Sequence, residues 1–207
     1  MKYNLDLDSL SVQAYKELLK AQNLLPGRKI LLHDIDQNFV LFENRGINTI
    51  AQLRKSLSTP QKIASFSADS GISEDYLVIL KRETGSLEQK PVPIANFPGI
   101  NPSLISALNG AGIKTSKDYF EKNQSASDEL YCLCDLVRIN GIGPVAAKAL
   151  LEAGYKSVSD VACADAAVMH AKISKVNEIK QYYKAKLGLK DMQFCIDFAS
   201  LLLTLCA

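Results

Sequence analysis

The chain has 207 residues, 47% of them hydrophobic and 22% charged, enough apolar surface for one large helical domain or two small ones and too much for disorder. A net charge of +2 excludes a uniformly basic nucleic-acid-binding surface, so any basic patch must be local. Trp is absent and aromatics are scarce, which points to helical packing on Leu, Ile, Val and Ala, and no apolar run approaches the roughly 20 residues a membrane-spanning helix needs.

The N-terminal stretch MKYNLDLDSL has no apolar core after its lysine, so no secretory signal is expected and the location is expected to be cytoplasmic. The first clear turn is FENRGINTIAQL (Phe42 to Leu53). A helix is expected to end at Gly46, because the residue just past a helix favours a left-handed conformation that glycine adopts at little cost. Ile47 then packs back, and Thr49 caps the next helix. Thr59 followed by Pro60 marks another start, with proline at the first helical position. Ser73 ahead of Glu74 and Asp75 marks a third, its acids at the positive helix end.

Thr84 to Pro98 reads TGSLEQKPVPIANFP. Helices do not cross its three prolines, Pro91, Pro93 and Pro98, and the residues before them prefer extended backbone. This segment divides the chain into an N-terminal helical domain, residues 1–85, and a C-terminal domain, residues 92–207.

The C-terminal domain repeats itself. FPGINPSLISALNGAGIKTSKDY (from Phe97) and INGIGPVAAKALLEAGYKSVSDV (from Ile139) align without a gap at an offset of 42 residues. Gly99 falls on Gly141, Pro102 on Pro144, Leu108 on Leu150 and Gly112 on Gly154. The Gly46 turn is a fainter copy 66 residues before the middle one. Ser127, ahead of Asp128 and Glu129, is expected to cap a helix between the two C-terminal copies. Strand signals are nearly absent, so the expected fold is all-α, about a dozen short helices with no sheet of consequence.

The last copy, LVRINGIGPVAAKALLEAG, carries the chemistry. Leu136 and Ile139 are expected to supply a first helix, Gly141-Ile142-Gly143 a hairpin with Ile142 buried, and Pro144 the start of a second helix that packs through Ala147 and Leu150. The backbone N–H groups of Gly143, Val145 and Ala146 then lie at a helix N-terminus, where donors and dipole suit a phosphate. Lys148, one turn on, adds a positive charge. The segment resembles the helix-hairpin-helix family. That resemblance implies tandem (SAM-like) repeats and sequence-independent contact with the DNA backbone; the same turn also serves as a packing unit alone. In the middle copy Asn101 replaces the second glycine, and its tolerance of the left-handed region is expected to preserve the turn. In the first copy the matching residues are His33-Asp34-Ile35-Asp36, whose carboxylates repel phosphate, so that copy is expected to be structural. From about Leu10 to Lys175 the chain resembles an uncharacterised bacterial domain-of-unknown-function family with such repeats, on the stretches LLPGRKILLHDID, EDYLVILKRETGS and DLVRINGIGP.

Beyond the hairpin, KISKVNEIKQYYKAKLGLK carries six lysines and one acid. A helix capped by Ser174, with an apolar stripe of Val176, Ile179, Tyr183 and Leu187, would place Lys180 and Lys184 one turn apart on a face able to neutralise phosphates. A merely solvated face is the other reading, and Tyr182 either stacks on a base or covers the helix. Phe194 to Ala207 is too polar to span a bilayer and reads as a buried helix or a contact with a protein partner or second copy, with Phe194, Phe198, Leu201 and Leu202 covered. The five cysteines, Cys132, Cys134, Cys163, Cys195 and Cys206, read as free thiols and small core residues. No zinc-ligand spacing, P-loop, nucleophile motif or carboxylate pair emerges, so neither metal, cofactor nor enzymatic activity is expected. The sequence leaves two functions: noncatalytic binding to DNA, or an interaction scaffold in which the repeats are only architecture.

Overall fold

The computed structural model describes residues 2–22, 24, 26–122, 128–184 and 186–205. Among them it places twelve α-helices: α1 (Val12–Ala21), α2 (Ile35–Asn44), α3 (Ile50–Ser56), α4 (Pro60–Ser70), α5 (Glu74–Gly85), α6 (Pro102–Gly110), α7 (Ser116–Lys122), α8 (Glu129–Leu136), α9 (Pro144–Glu152), α10 (Val158–Ala162), α11 (Ala166–Lys180) and α12 (Leu189–Leu205). Two 3-10 helices, Pro26–Leu32 and Ile94–Asn96, complete the set, and the described residues form no strand, only two isolated bridges. The all-α expectation is met. No helix of the described residues is long and apolar enough to cross a membrane.

Caps explain most helix boundaries. The hydroxyls of Thr59 and Ser73 accept from the N–H groups of Lys62 and Tyr76, and Pro60 stands at the first position of α4. Ser127 lies outside the described residues; the cap of α8 is Asp128, whose carboxylate accepts from the Leu130 N–H at 3.0 Å.

The chain forms two compact units. Residues 6–87 make one, and residues 1–5 with 88–207 make the other. The division expected at the proline-rich segment places residues 1–85 in the first. The difference at the N-terminus has a physical cause: Tyr3 is fully buried among side chains of the C-terminal unit. In the 6–87 unit, the fully buried Phe39, Phe42, Leu53, Leu77 and Leu80 belong to the core. Glu83 is buried there, and burial pushes its carboxyl above the usual range despite the Arg28 guanidinium at 3.0 Å.

One local structure recurs three times. Past α2, α6 and α9 stand Gly46, Gly112 and Gly154, with φ of +73°, +73° and +95°. Each glycine N–H reaches back to the helix, to the carbonyls of Glu43, Asn109 and Leu151. The following residues Ile47, Ile113 and Tyr155 donate to Phe42, Leu108 and Leu150 at 2.9–3.0 Å. This satisfies the orphan carbonyls of the last turn. Three residues after each glycine come Thr49, Thr115 and Ser157, and their hydroxyls accept from the N–H groups of Gln52, Asp118 and Asp160. Those three side chains in turn accept from backbone N–H groups just before the helix. The first N–H of each following helix is also paired. Ile50 donates to the Leu10 carbonyl and Ser116 to that of Val92, whereas Val158 uses the Asp135 carboxylate at 2.8 Å.

Candidate functional site

The segment between α8 and α9 turns on Gly141, at φ +87°. Val137, Arg138 and Ile139 continue past α8 with N–H groups bonded back to Leu133, Asp135 and Leu136, and the Ile142 N–H closes onto the Ile139 carbonyl at 3.0 Å. Ile139 therefore lies in the turn and not on the first helix, although it is fully buried. Ile142 is only half-buried, a correction to its expected place between the helices. Only one of the two glycines requires glycine's freedom. Gly143 has φ −85° and ψ 176°, an extended conformation open to any residue, and a Cβ built on it would meet no atom within 4 Å. A Cβ on Gly141 would lie 3.9 Å from the ring of Phe194.

Gly143 is the N-cap of α9 and brings no side chain to it. Pro144 has no N–H to give, and its fixed φ suits the first helical position. The N–H groups of Gly143, Val145 and Ala146 meet no acceptor among the described residues; Gly143 and Val145 are exposed and Ala146 is half-buried. Packing below is tight: Ala147, Ala149 and Leu150 are buried where α9 meets α8 and α11.

Lys148 does not stand free beside this opening. Its ammonium is 2.5 Å from Glu129 Oε1 and 3.9 Å from Glu152 Oε1, with the side chain mostly covered. Sequence alone could not show this, because Glu129 is brought in from α8.

The other two copies differ at the same place. In the middle copy Gly99 takes the positive φ, +79°. Asn101 sits at φ −64°, not in the left-handed region, and serves as N-cap by accepting from the Ser103 N–H at 2.8 Å. In the first copy the positive φ falls on Asp34, at +49°; its carboxylate lies 2.9 Å from the exposed His33 ring and makes no side-chain cap. Asp36 pairs with Lys20 at 2.7 Å and Lys16 at 3.0 Å, and hydrogen bonds from those ammoniums hold its carboxyl below the usual range.

The lysine-rich stretch is not one helix. α11 begins at Ala166, capped by the Asp165 carboxylate, so Ser174 lies inside it, and it ends at Lys180. Gln181 then adopts φ +52°, while the Asn177 carboxamide donates to the Tyr183 carbonyl and accepts from the Tyr183 N–H, both at 3.0 Å. This grip turns the chain out of the helix. Lys184 is therefore in the following loop, exposed, and not one turn above Lys180. Tyr183 and Leu187 leave the expected stripe, whose buried members are Met169 and Ile173 instead, and Ile179 is 71% exposed. The Tyr182 hydroxyl donates to Glu152 at 2.6 Å.

In α12, Phe198, Leu201 and Leu202 are buried as expected, but Phe194 is 39% exposed. Cys132, Cys134 and Cys195 are buried, and burial pushes all three thiols up. Cys206 lies outside the described residues. Among the described residues no group of three His, Cys, Asp or Glu side chains converges as for a metal ion.

The pair that sequence reading missed is Asp135 and Arg138. Both are buried, and they meet at 2.5 Å. Two opposite charges three residues apart in the apolar run YCLCDLVRIN were the available signal.

Residues 98–200 match the model of a family described as a domain of unknown function (DUF4332). No curated protein and no solved structure matches the chain.

Proposed function

We propose that this chain is a noncatalytic, sequence-independent binder of the DNA phosphate backbone, and that Gly141 to Ala146 is its helix-hairpin-helix contact. The observation that carries this reading is the uncapped start of α9. A glycine stands where Asn101 closes the equivalent helix, and this leaves N–H donors at the positive end of a packed helix. Lys148 is engaged by Glu129 and Glu152 and adds no free charge to the contact. Lys180 and Lys184, both exposed, remain as charges for a neighbouring phosphate but do not form one face.

The reading predicts weak binding. With about one or two phosphates contacted, the log–log salt slope is expected near −1 to −2, with no dependence on base sequence. Titration of labelled duplex and single-stranded DNA at two salt concentrations measures both. Absence of binding at low ionic strength overturns the reading. The interaction-scaffold alternative then takes its place, favoured by the two carboxylates around Lys148, which oppose an incoming phosphate.

A further inference from the structure

Residues 2–5 sit in the C-terminal unit as a peptide sits in a receptor. The Tyr3 side chain is fully buried, its hydroxyl shares a 2.7 Å hydrogen bond with Ser116 Oγ, and its ring meets Phe120 edge-on at 5.9 Å between centroids. The Tyr3 N–H donates to Glu121 Oε1 at 3.4 Å, and the Tyr3 carbonyl accepts from Arg138 Nε at 2.8 Å. A further nitrogen of the same guanidinium donates to the Lys2 carbonyl at 3.4 Å, and Leu5 is buried as well.

The receptor side is fixed by contacts within residues 88–207. Asp135 holds Arg138 Nη1, and the Phe120 ring lies 4.4 Å under the guanidinium. Asp135 is itself anchored by the Val158 N–H, and Ser116 Oγ also accepts from the Val92 N–H at 2.9 Å. A guanidinium 2% exposed is costly to bury unless its donors are used. Here its partners include one carboxylate and two main-chain carbonyls of the N-terminal segment. Main-chain hydrogen bonds from a fixed group, with one aromatic side chain anchored in a pocket, are recurring devices by which folded domains hold short peptides.

We infer that Ser116, Phe120, Glu121 and Arg138 form a peptide-binding pocket that takes a short non-helical segment anchored by tyrosine. Its resident ligand is the chain's own Lys2-Tyr3-Asn4-Leu5, and the pocket accepts the same segment in trans. Covalent connection gives the resident segment a millimolar-scale effective concentration, so the intact chain is self-occupied.

The full chain carrying Tyr3→Ala tests this, titrated with a fluorescein-labelled peptide of residues 1–7. Saturable binding is expected to the variant and not to wild type at the same concentrations. A peptide with alanine in place of its tyrosine should bind about tenfold more weakly or worse, the range for a buried aromatic anchor. If Tyr3→Ala unfolds, the same titration is read by circular dichroism, and the peptide is expected to restore helicity and the melting transition. A folded variant that ignores millimolar peptide, or an unfolded one that the peptide fails to restore, overturns the inference. So does equal binding of the tyrosine and alanine peptides.

Discussion

α6 and α9 occupy the same place in two aligned copies and live in different surroundings. Each begins with proline three residues after a positive-φ glycine, and each ends in the same glycine-terminated turn. α9 buries Ala147, Ala149 and Leu150. α6 buries none of its residues, and the aligned Ile105, Ala107 and Leu108 are half-buried or exposed. No charge occurs from Pro91 to Ile113, in a chain that is 22% charged, so α6 shows water an uncharged surface. The lesson is that local turn chemistry makes the repeat, while neighbouring helices decide what each copy is for. α9 is held by α8 and α11 and keeps its N-terminus open; α6 is closed at that end and open along its side.

The largest expected difference between the two helices is in packing. Leu150→Ala removes a side chain 1% exposed and should cost about 2–5 kcal/mol. Leu108→Ala, at the aligned half-buried position, should cost well under half as much, and denaturant melts of the two variants measure both. Equal losses would mean that α6 is covered in solution.

The next contrast lies within the α9 hairpin. Gly141→Ala places a Cβ at φ +87° and should cost about 1–2 kcal/mol. Gly143→Ala has compatible backbone and open space, so its stability should stay within about 0.5 kcal/mol of the parent. Thermal unfolding separates the pair, and similar losses would refute the assignment of the strained position to Gly141 alone.

Acid should separate the turns. Asp118 is pushed up by burial, but hydrogen bonds from the Thr115 hydroxyl and from the N–H groups of Lys114 and Thr115 outweigh this and hold its carboxyl below the ordinary value. A lowered folded value means that the contribution is full above the unfolded carboxylate range and is lost as pH falls through the folded value. Gln52 does the same work in the first copy without a titrating group. Asp118→Asn should therefore flatten the acid limb of the stability–pH curve, whereas Gln52→Ala should shift stability by a similar amount at every pH.

Sequence made the three glycine turns and their Thr or Ser caps legible because the bonds of the glycines and of the capping hydroxyls close within a few residues. The same holds for Thr59-Pro60 and Ser73. Readings that depended on distant partners went astray. Lys148 looked free until α8 brought Glu129 to it. Lys180 and Lys184 looked like one face until Asn177 and Gln181 ended the helix between them. The hairpin itself was misread by local geometry: two glycines suggested two strained positions, yet Gly143 is an N-cap, and Asn101 in its place shows that the site tolerates a side chain. Tyr3 gave no signal, since a tyrosine two residues from an N-terminal methionine matches no periodic pattern.

That substitution supplies the finest test of the comparison, because the chain already contains both versions of the cap. Gly143→Asn would copy the middle repeat into α9: both positions are extended, a Cβ at 143 meets nothing within 4 Å, and Val145 aligns with Ser103, whose N–H Asn101 accepts. An asparagine cap in place of glycine should stabilise by a few tenths of a kcal/mol. It should also occupy the Val145 N–H and so weaken DNA binding, although no positive charge is removed. The reverse change, Asn101→Gly, should lower stability by as little and open a second donor cluster on α6. Binding isotherms at low salt, paired with amide exchange at residue 145, read both effects. If the new cap protects that amide and DNA affinity is unchanged, the open start of α9 is not what holds a phosphate, and the two repeats differ only in how they are packed.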